Sequence, residues 1–154
     1  MSKIFISLLG ISFVALMLFY FYTSSSYKTS IEAKLYYTLG DYEESYRLAT
    51  TAYKDDKYNR MALTVMQQSK FSLNFIAYIK EAQEYLDKIN KIAEQKNINI
   101  KDKLKVKMMC SYMIEKYHTL KGSVLIESNL QKQSNGVYQK FIDLRQKVEE
   151  SLKP

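Results

Sequence analysis

The chain is poor in residues that break regular structure. Its 154 residues include four glycines and a single proline, and that proline is the last residue, Pro154. Sheets and loop-rich folds need turn residues at short intervals, so this scarcity excludes them and leaves an all-α class. There is one cysteine, Cys110, which excludes an internal disulfide. Its neighbours Val106, Met109 and Met113 predict a buried apolar thiol rather than a reactive one.

Histidine is as scarce. His118 stands alone, so no Cys/His cluster can hold zinc. It is read as a partly exposed helix residue rather than a catalytic base. No Asp-x-Asp-x-Asp-Gly loop offers calcium a site, no Gly-x-x-x-x-Gly-Lys loop cradles phosphate, and no nucleophile elbow surrounds a serine. Glu43 and Glu44, like Glu149 and Glu150, are adjacent on helices and point in different directions. They read as solvated charges. No catalytic residue, cofactor or metal is expected, and the chain is not read as an enzyme. The net charge of +7 is modest. Without an arginine-rich patch or an aromatic-glycine motif, it gives no support to nucleic-acid binding.

What the chain does have begins at its N-terminus. Ile4 to Tyr22 is a run of 19 residues without a charge. As a helix it would be about 28 Å long, close to one bilayer core. Lys3 precedes it, Tyr20, Phe21 and Tyr22 suit the membrane interface, and Ser24, Ser25 and Ser26 form a polar exit. The aromatic end argues for an uncleaved anchor over a signal peptide. Residues 1–27 are therefore read as a membrane anchor and its exit, and residues 28–154 as the helical domain. Basic residues on the two flanks nearly balance. The short head without an acid tips the domain weakly to the periplasmic side of an inner membrane.

The next stretch, Ala33 to Asn59, reads as two short helices joined at Leu39-Gly40-Asp41. Gly40 supplies the positive φ that ends a helix, and Asp41 caps the next, with Glu43 and Glu44 in its first turn. Ile31, Leu35 and Leu39 are expected to form one packing stripe. Tyr42, Ser45, Tyr46, Ala49, Ala52 and Tyr53 form the other. Over about 30 residues this segment resembles a tetratricopeptide repeat. Gly40-Asp41-Tyr42-Glu43-Glu44-Ser45 matches that family's turn into its second helix, with Ser45 in place of alanine. Tyr36, Ala49 and Ala52 match its aromatic and small positions. Lys57 departs from the closing proline, and the start of the first helix has Thr29 and Glu32-Ala33 in place of the family's aromatic and Leu-Gly pair. The 127 residues after the first 27 are enough for five or six helices, and the resemblance implies that they stack and bind protein. It implies a groove lined by the first helix of each hairpin, here Lys34, Tyr37 and Thr38.

Further along, Ala62, Met66, Ser69, Leu73, Ile76 and Ala77 form one helical stripe, and Ala82, Tyr85, Leu86, Ile89 and Ile92 another. The second stripe lies on a separate or continuing helix and resembles the packing helix of a further, more degenerate repeat; a break is expected near Leu73-Asn74-Phe75 or after Tyr78. Lys96 to Asp102 reads as a loop. The helix from Lys101 to Lys121 has one track of Leu104, Met108 and Tyr112 beside another of Val106, Met109, Met113, Tyr117 and Leu120. Lys101, Lys103, Lys105 and Lys107 make the densest basic patch, either a solvated helix start or a docking patch for anionic lipid or acid groups. Gly122 ends this helix. Ile126, Leu130, Val137, Phe141, Leu144, Val148 and Leu152 follow, with a possible break at Ser134-Asn135-Gly136. This last pattern is expected to cap the stack. The functional expectation is a membrane-anchored scaffold, adaptor or assembly factor for a bacterial envelope complex. The alternative is a protein that engages a lipid surface through Lys101 to Lys107.

Overall fold

The computed structural model describes residues 2–120 and 128–153, with side chains from 6–19 and from residue 24 onward within those ranges. All regular structure among the described residues is helical: α1 (Ser2–Thr23), α2 (Ser25–Thr38), α3 (Tyr42–Asp55), α4 (Arg60–Ala93), α5 (Ile100–Thr119) and α6 (Ser128–Ser151). The chain divides into two compact units, Met1–Lys70 and Phe71–Pro154.

In the first unit, every described side chain of α1 is exposed. These side chains cover only residues 6–19. Among the described residues no helix is long and apolar enough to cross a membrane. The side chains of Lys3, Tyr20, Phe21 and Tyr22 lie outside the described residues.

The α2–α3 turn forms as the glycine and aspartate predict. Gly40 has φ +83° and is the only residue with positive φ among those described. Its N–H donates to Tyr37 O at 3.1 Å, and the Asp41 N–H donates to Tyr36 O at 3.0 Å. This pair of bonds is a Schellman motif, which satisfies carbonyls that the end of α2 would otherwise leave open. Asp41 then caps α3 by accepting from Glu44 N–H at 3.1 Å. One residue closes α2 and opens α3, which makes the hairpin tight.

The packing face of α2 differs from the expected one. Ile31, Leu35 and Leu39 are exposed; the buried face is Ser26, Ser30 and Ala33. The small face wins because it lets the backbones approach, and its hydroxyls find partners. Ser45 Oγ donates to Ala33 O at 2.8 Å and lies 2.7 Å from Ser69 Oγ. Its one proton is used on Ala33, so Ser69 is the donor between the two serines. Ser26 Oγ donates to Ala52 O at 2.8 Å. Asn59 Nδ2 donates to Ser26 Oγ at 2.9 Å and to Ser30 Oγ at 3.3 Å. Asn59 Oδ1 accepts from Ala62 N–H at 3.0 Å, so this buried amide also caps α4. Leu48, Ala49 and Val65 complete the core of the unit.

No break interrupts α4. It runs unbroken from Arg60 to Ala93, through both positions where a break was expected. No glycine or proline lies in that span, so nothing stops propagation of the i→i−4 ladder. The expected second hairpin is therefore not formed by these residues. The buried stripe is Ala62, Val65, Ser69, Ser72, Phe75, Tyr78, Ala82, Ile89 and Ile92, whereas Ile76 is exposed.

In the second unit, α5 starts one residue earlier than expected, capped by Asn99 accepting from Asp102 N–H at 2.8 Å. Val106, Met109, Cys110, Met113 and Ile114 are buried against Tyr78, Ala82, Ile89, Ile92 and Phe141. The apolar track of α6 is used here, with Val137, Leu144 and Val148 packed on that core. The helix passes through Ser134-Asn135-Gly136 without a break, with Ser134 buried. Gly122 and Ile126 lie outside the described residues.

Candidate interaction surfaces

The structure brings the residues expected in the groove to one end of α2. Lys34 is half-buried, its ammonium 4.7 Å from the centroid of the Tyr37 ring and 3.5 Å from Gln68 Oε1 on α4. Tyr37 packs edge-on against Tyr42, with ring centroids 5.3 Å apart. Thr38 is exposed, and its hydroxyl donates to Leu35 O at 2.7 Å. Lys34 and Thr38 are one turn apart, and Ile31 lies three residues before Lys34, so these residues share a face.

That face is more apolar than expected. Ile31 is 60% exposed, Leu35 57% and Leu39 71%. The spacing of these three residues was legible in the sequence. Their outward direction was not, because four-residue periodicity gives the stripe and not the side of the helix that packs.

The four lysines at the start of α5 fall into two pairs. Lys103 Nζ donates to Ser151 O at 2.9 Å, and Lys107 Nζ lies 3.1 Å from Glu149 Oε1. Both tie α5 to the C-terminal end of α6. Lys101 and Lys105 are exposed. Beside them run Ile100, Leu104 and Met108, 68%, 48% and 69% exposed. Leu104, Met108 and Tyr112 thus form a solvent-facing track, and only the neighbouring track of Val106, Met109 and Met113 is core.

Clefts open in the second unit, and two of them include residues of its core. One, of about 260 Å³, is almost wholly apolar and is lined by Ile89, Ile92, Val106, Leu144 and Val148, among others, with Lys103 and Lys147. The other, of about 470 Å³, includes Tyr78, Lys116 and Thr119. The Tyr78 hydroxyl is buried and has no hydrogen-bond partner among the described residues. Burial raises its pKa above the ordinary tyrosine range, with Tyr117 and Tyr138 adding to the effect. Lys116 is paired with Glu81, which also accepts from Tyr112 OH at 3.1 Å. The hydrogen bond with Lys116 is the main cause that lowers the Glu81 pKa, and the same bond raises that of Lys116. This pair reads as a tie between α4 and α5 rather than as an acid–base couple.

His118 is exposed, its Nε2 3.4 Å from Tyr138 OH, and it packs edge-on against Tyr117 and Tyr138. Cys110 is fully buried, and burial pushes its thiol up to about 11. No group of three His, Cys, Asp or Glu side chains converges among the described residues. In comparison with known proteins, the chain matches no family model, no curated protein and no solved structure.

Proposed function

We propose that this chain is a membrane-anchored, non-enzymatic protein-interaction module, a scaffold or assembly factor for a bacterial envelope complex such as a secretion, pilus or flagellar-motor machine. On this reading the run Ile4–Tyr22 holds the chain in the inner membrane by a single pass, with the helical domain on the periplasmic side. The α2–α3 hairpin acts as a tetratricopeptide-like unit. Its outer face takes an apolar helical segment of a partner protein.

The observation that carries the reading is the exposure of Ile31, Leu35 and Leu39 on α2. Large apolar side chains at one-turn spacing are the anchors by which helices seat on one another. Leaving three of them in water is unfavourable by roughly 25 cal/mol for each Å² of apolar surface that a partner would cover. Lys34 and Thr38 border the stripe and give the docking a polar edge.

The test uses the full-length protein in membranes, with a photo-crosslinkable residue at Leu35. A discrete protein adduct is expected, and Ile31→Ser with Lys34→Glu should abolish it while the helical signal is kept. An adduct indifferent to those substitutions sinks the docking face. The anchor is tested separately by Val14→Arg. An arginine at the centre of a span costs about 2.5–3.5 kcal/mol on insertion scales, so this variant should leave carbonate-washed membranes. If the parent protein also washes off, the anchor is wrong.

A further inference from the structure

We propose that the start of α5 is a docking surface for an anionic lipid bilayer. It lies flat on the head groups, with Ile100, Leu104 and Met108 dipping between them and Lys101 and Lys105 on the lipid phosphates. The inference rests in part on the anchor reading, because a chain held at a membrane meets that surface at high effective concentration.

Three features lead there. First, the apolar residues repeat at one-turn spacing and stay in solvent, while the adjacent track of the same helix is buried. The helix is thus apolar on two sides, and the core uses only one. Second, lysines border the outer arc on both edges. Lys103 and Lys107 lie on one side, engaged with α6, and Lys101 and Lys105 lie on the other, exposed. Long lysine stems that flank apolar residues can bury their methylenes while the ammonium reaches phosphate. Third, the loop before the helix continues the character. Ile98 and Lys96 are both exposed.

The shape favours a plane over a partner helix. Ile98, Asn99, Ile100, Lys101 and Lys103 line a shallow, open depression. The acids nearby set the limits. Glu149 sits against Lys107 on one edge, Asp102 lies in the first turn of α5 and is half-buried, and Glu115 is exposed beyond Met108. The basic apolar surface is therefore confined to about two turns, roughly 12 Å of helix. Two free lysines near an anionic surface make a contact that is weak alone and effective when tethered.

The experiment places an environment-sensitive fluorophore at Met108→Cys in the full chain. Cys110 is fully buried, so labelling is selective for the new thiol. The protein is reconstituted into phosphatidylcholine vesicles, with or without phosphatidylglycerol, that carry a head-group nitroxide quencher. Quenching is expected with phosphatidylglycerol, little with phosphatidylcholine alone, and loss in high salt. Lys101→Glu with Lys105→Glu should return quenching to the phosphatidylcholine level, with an unchanged helical spectrum. Free glycerol phosphate should not compete, which separates a bilayer from a soluble phosphate.

Absence of quenching on anionic vesicles overturns the proposal, and it then points to an acidic protein as the occupant. Quenching that is equal on both vesicles, or that survives the lysine reversal, overturns it as well. The anchor is read independently, by flotation on phosphatidylcholine alone. If flotation fails while added anionic vesicles still quench the probe, the anchor reading falls and the docking surface stands.

Discussion

Two glycines show how differently one residue type acts in this chain. Gly40 has φ +83°, which an L side chain adopts only with strain, although a β-carbon there would meet nothing within 4 Å. Gly136 sits inside α6 with helical backbone and equally open space. Opposite outcomes follow for the same substitution. Gly40→Ala is expected to destabilise the fold by about 1 kcal/mol. Gly136→Ala is expected to stabilise it by about 0.5–1 kcal/mol, because alanine reduces the freedom of the unfolded chain. Urea denaturation followed by circular dichroism measures both, and a shared sign would refute the assignment of one as a cap and the other as helix interior. The sequence made Gly40 legible because a Schellman cap depends only on neighbours along the chain. Asn59 stands in the sequence only as the last residue of the hairpin stretch. Its real role is set by Ser26 and Ser30, 33 and 29 residues away, and such a long-range pairing leaves no mark in local composition.

At the scale of elements, propensity decided more than periodicity did. The stripes Ala62–Ala77 and Ala82–Ile92 leave open a separate or a continuing helix, with a break expected near Leu73-Asn74-Phe75 or after Tyr78. The structure joins them in one helix, with a buried stripe that moves gradually from Val65 and Ser69 to Tyr78, Ala82 and Ile89. Asn74 is exposed at a position where a break was expected. A turn there would accept proline readily. An intact helix would not, since proline removes one ladder bond and clashes with the preceding turn. Asn74→Pro should therefore cost about 3 kcal/mol or more and lower the melting temperature sharply, with Asn74→Ala as a neutral control. The same logic explains α6, where a lone glycine fails to stop a helix that Phe141 and its neighbours pin to the core. Burial direction was the harder problem. On α2 and α5 the sequence offers two apolar or small tracks each, and only the partner helices decide which one is hidden.

For the molecule as a whole, the two compact units differ in what their interiors contain, and that difference has a pH signature. The first unit buries serines, alanines, Leu48, Val65, Asn59 and Tyr42, and no thiol. The second buries Cys110 and Tyr78 in one core. Burial raises the thiol pKa from 9.0 to about 11 and also raises that of the Tyr78 hydroxyl. Both groups are neutral acids whose folded-state pKa lies above the unfolded value. Their stabilising effect is complete below the unfolded pKa and is lost as pH rises through the folded one. For Cys110 the window runs from 9.0 to about 11, and the loss is on the order of 2 kcal/mol across it. Denaturation midpoints should hold steady up to about pH 8.5 and then fall towards pH 11. Cys110→Ala should flatten the part of that slope due to the thiol, and the remainder should follow Tyr78, so adding Tyr78→Phe should flatten it further. The parent Cys110 should stay inert to a thiol reagent in native buffer and react at the rate of global unfolding. A midpoint that is flat through the alkaline range, or a slope untouched by either substitution, would mean that these two groups are not held in the interior as the packing of α4, α5 and α6 requires.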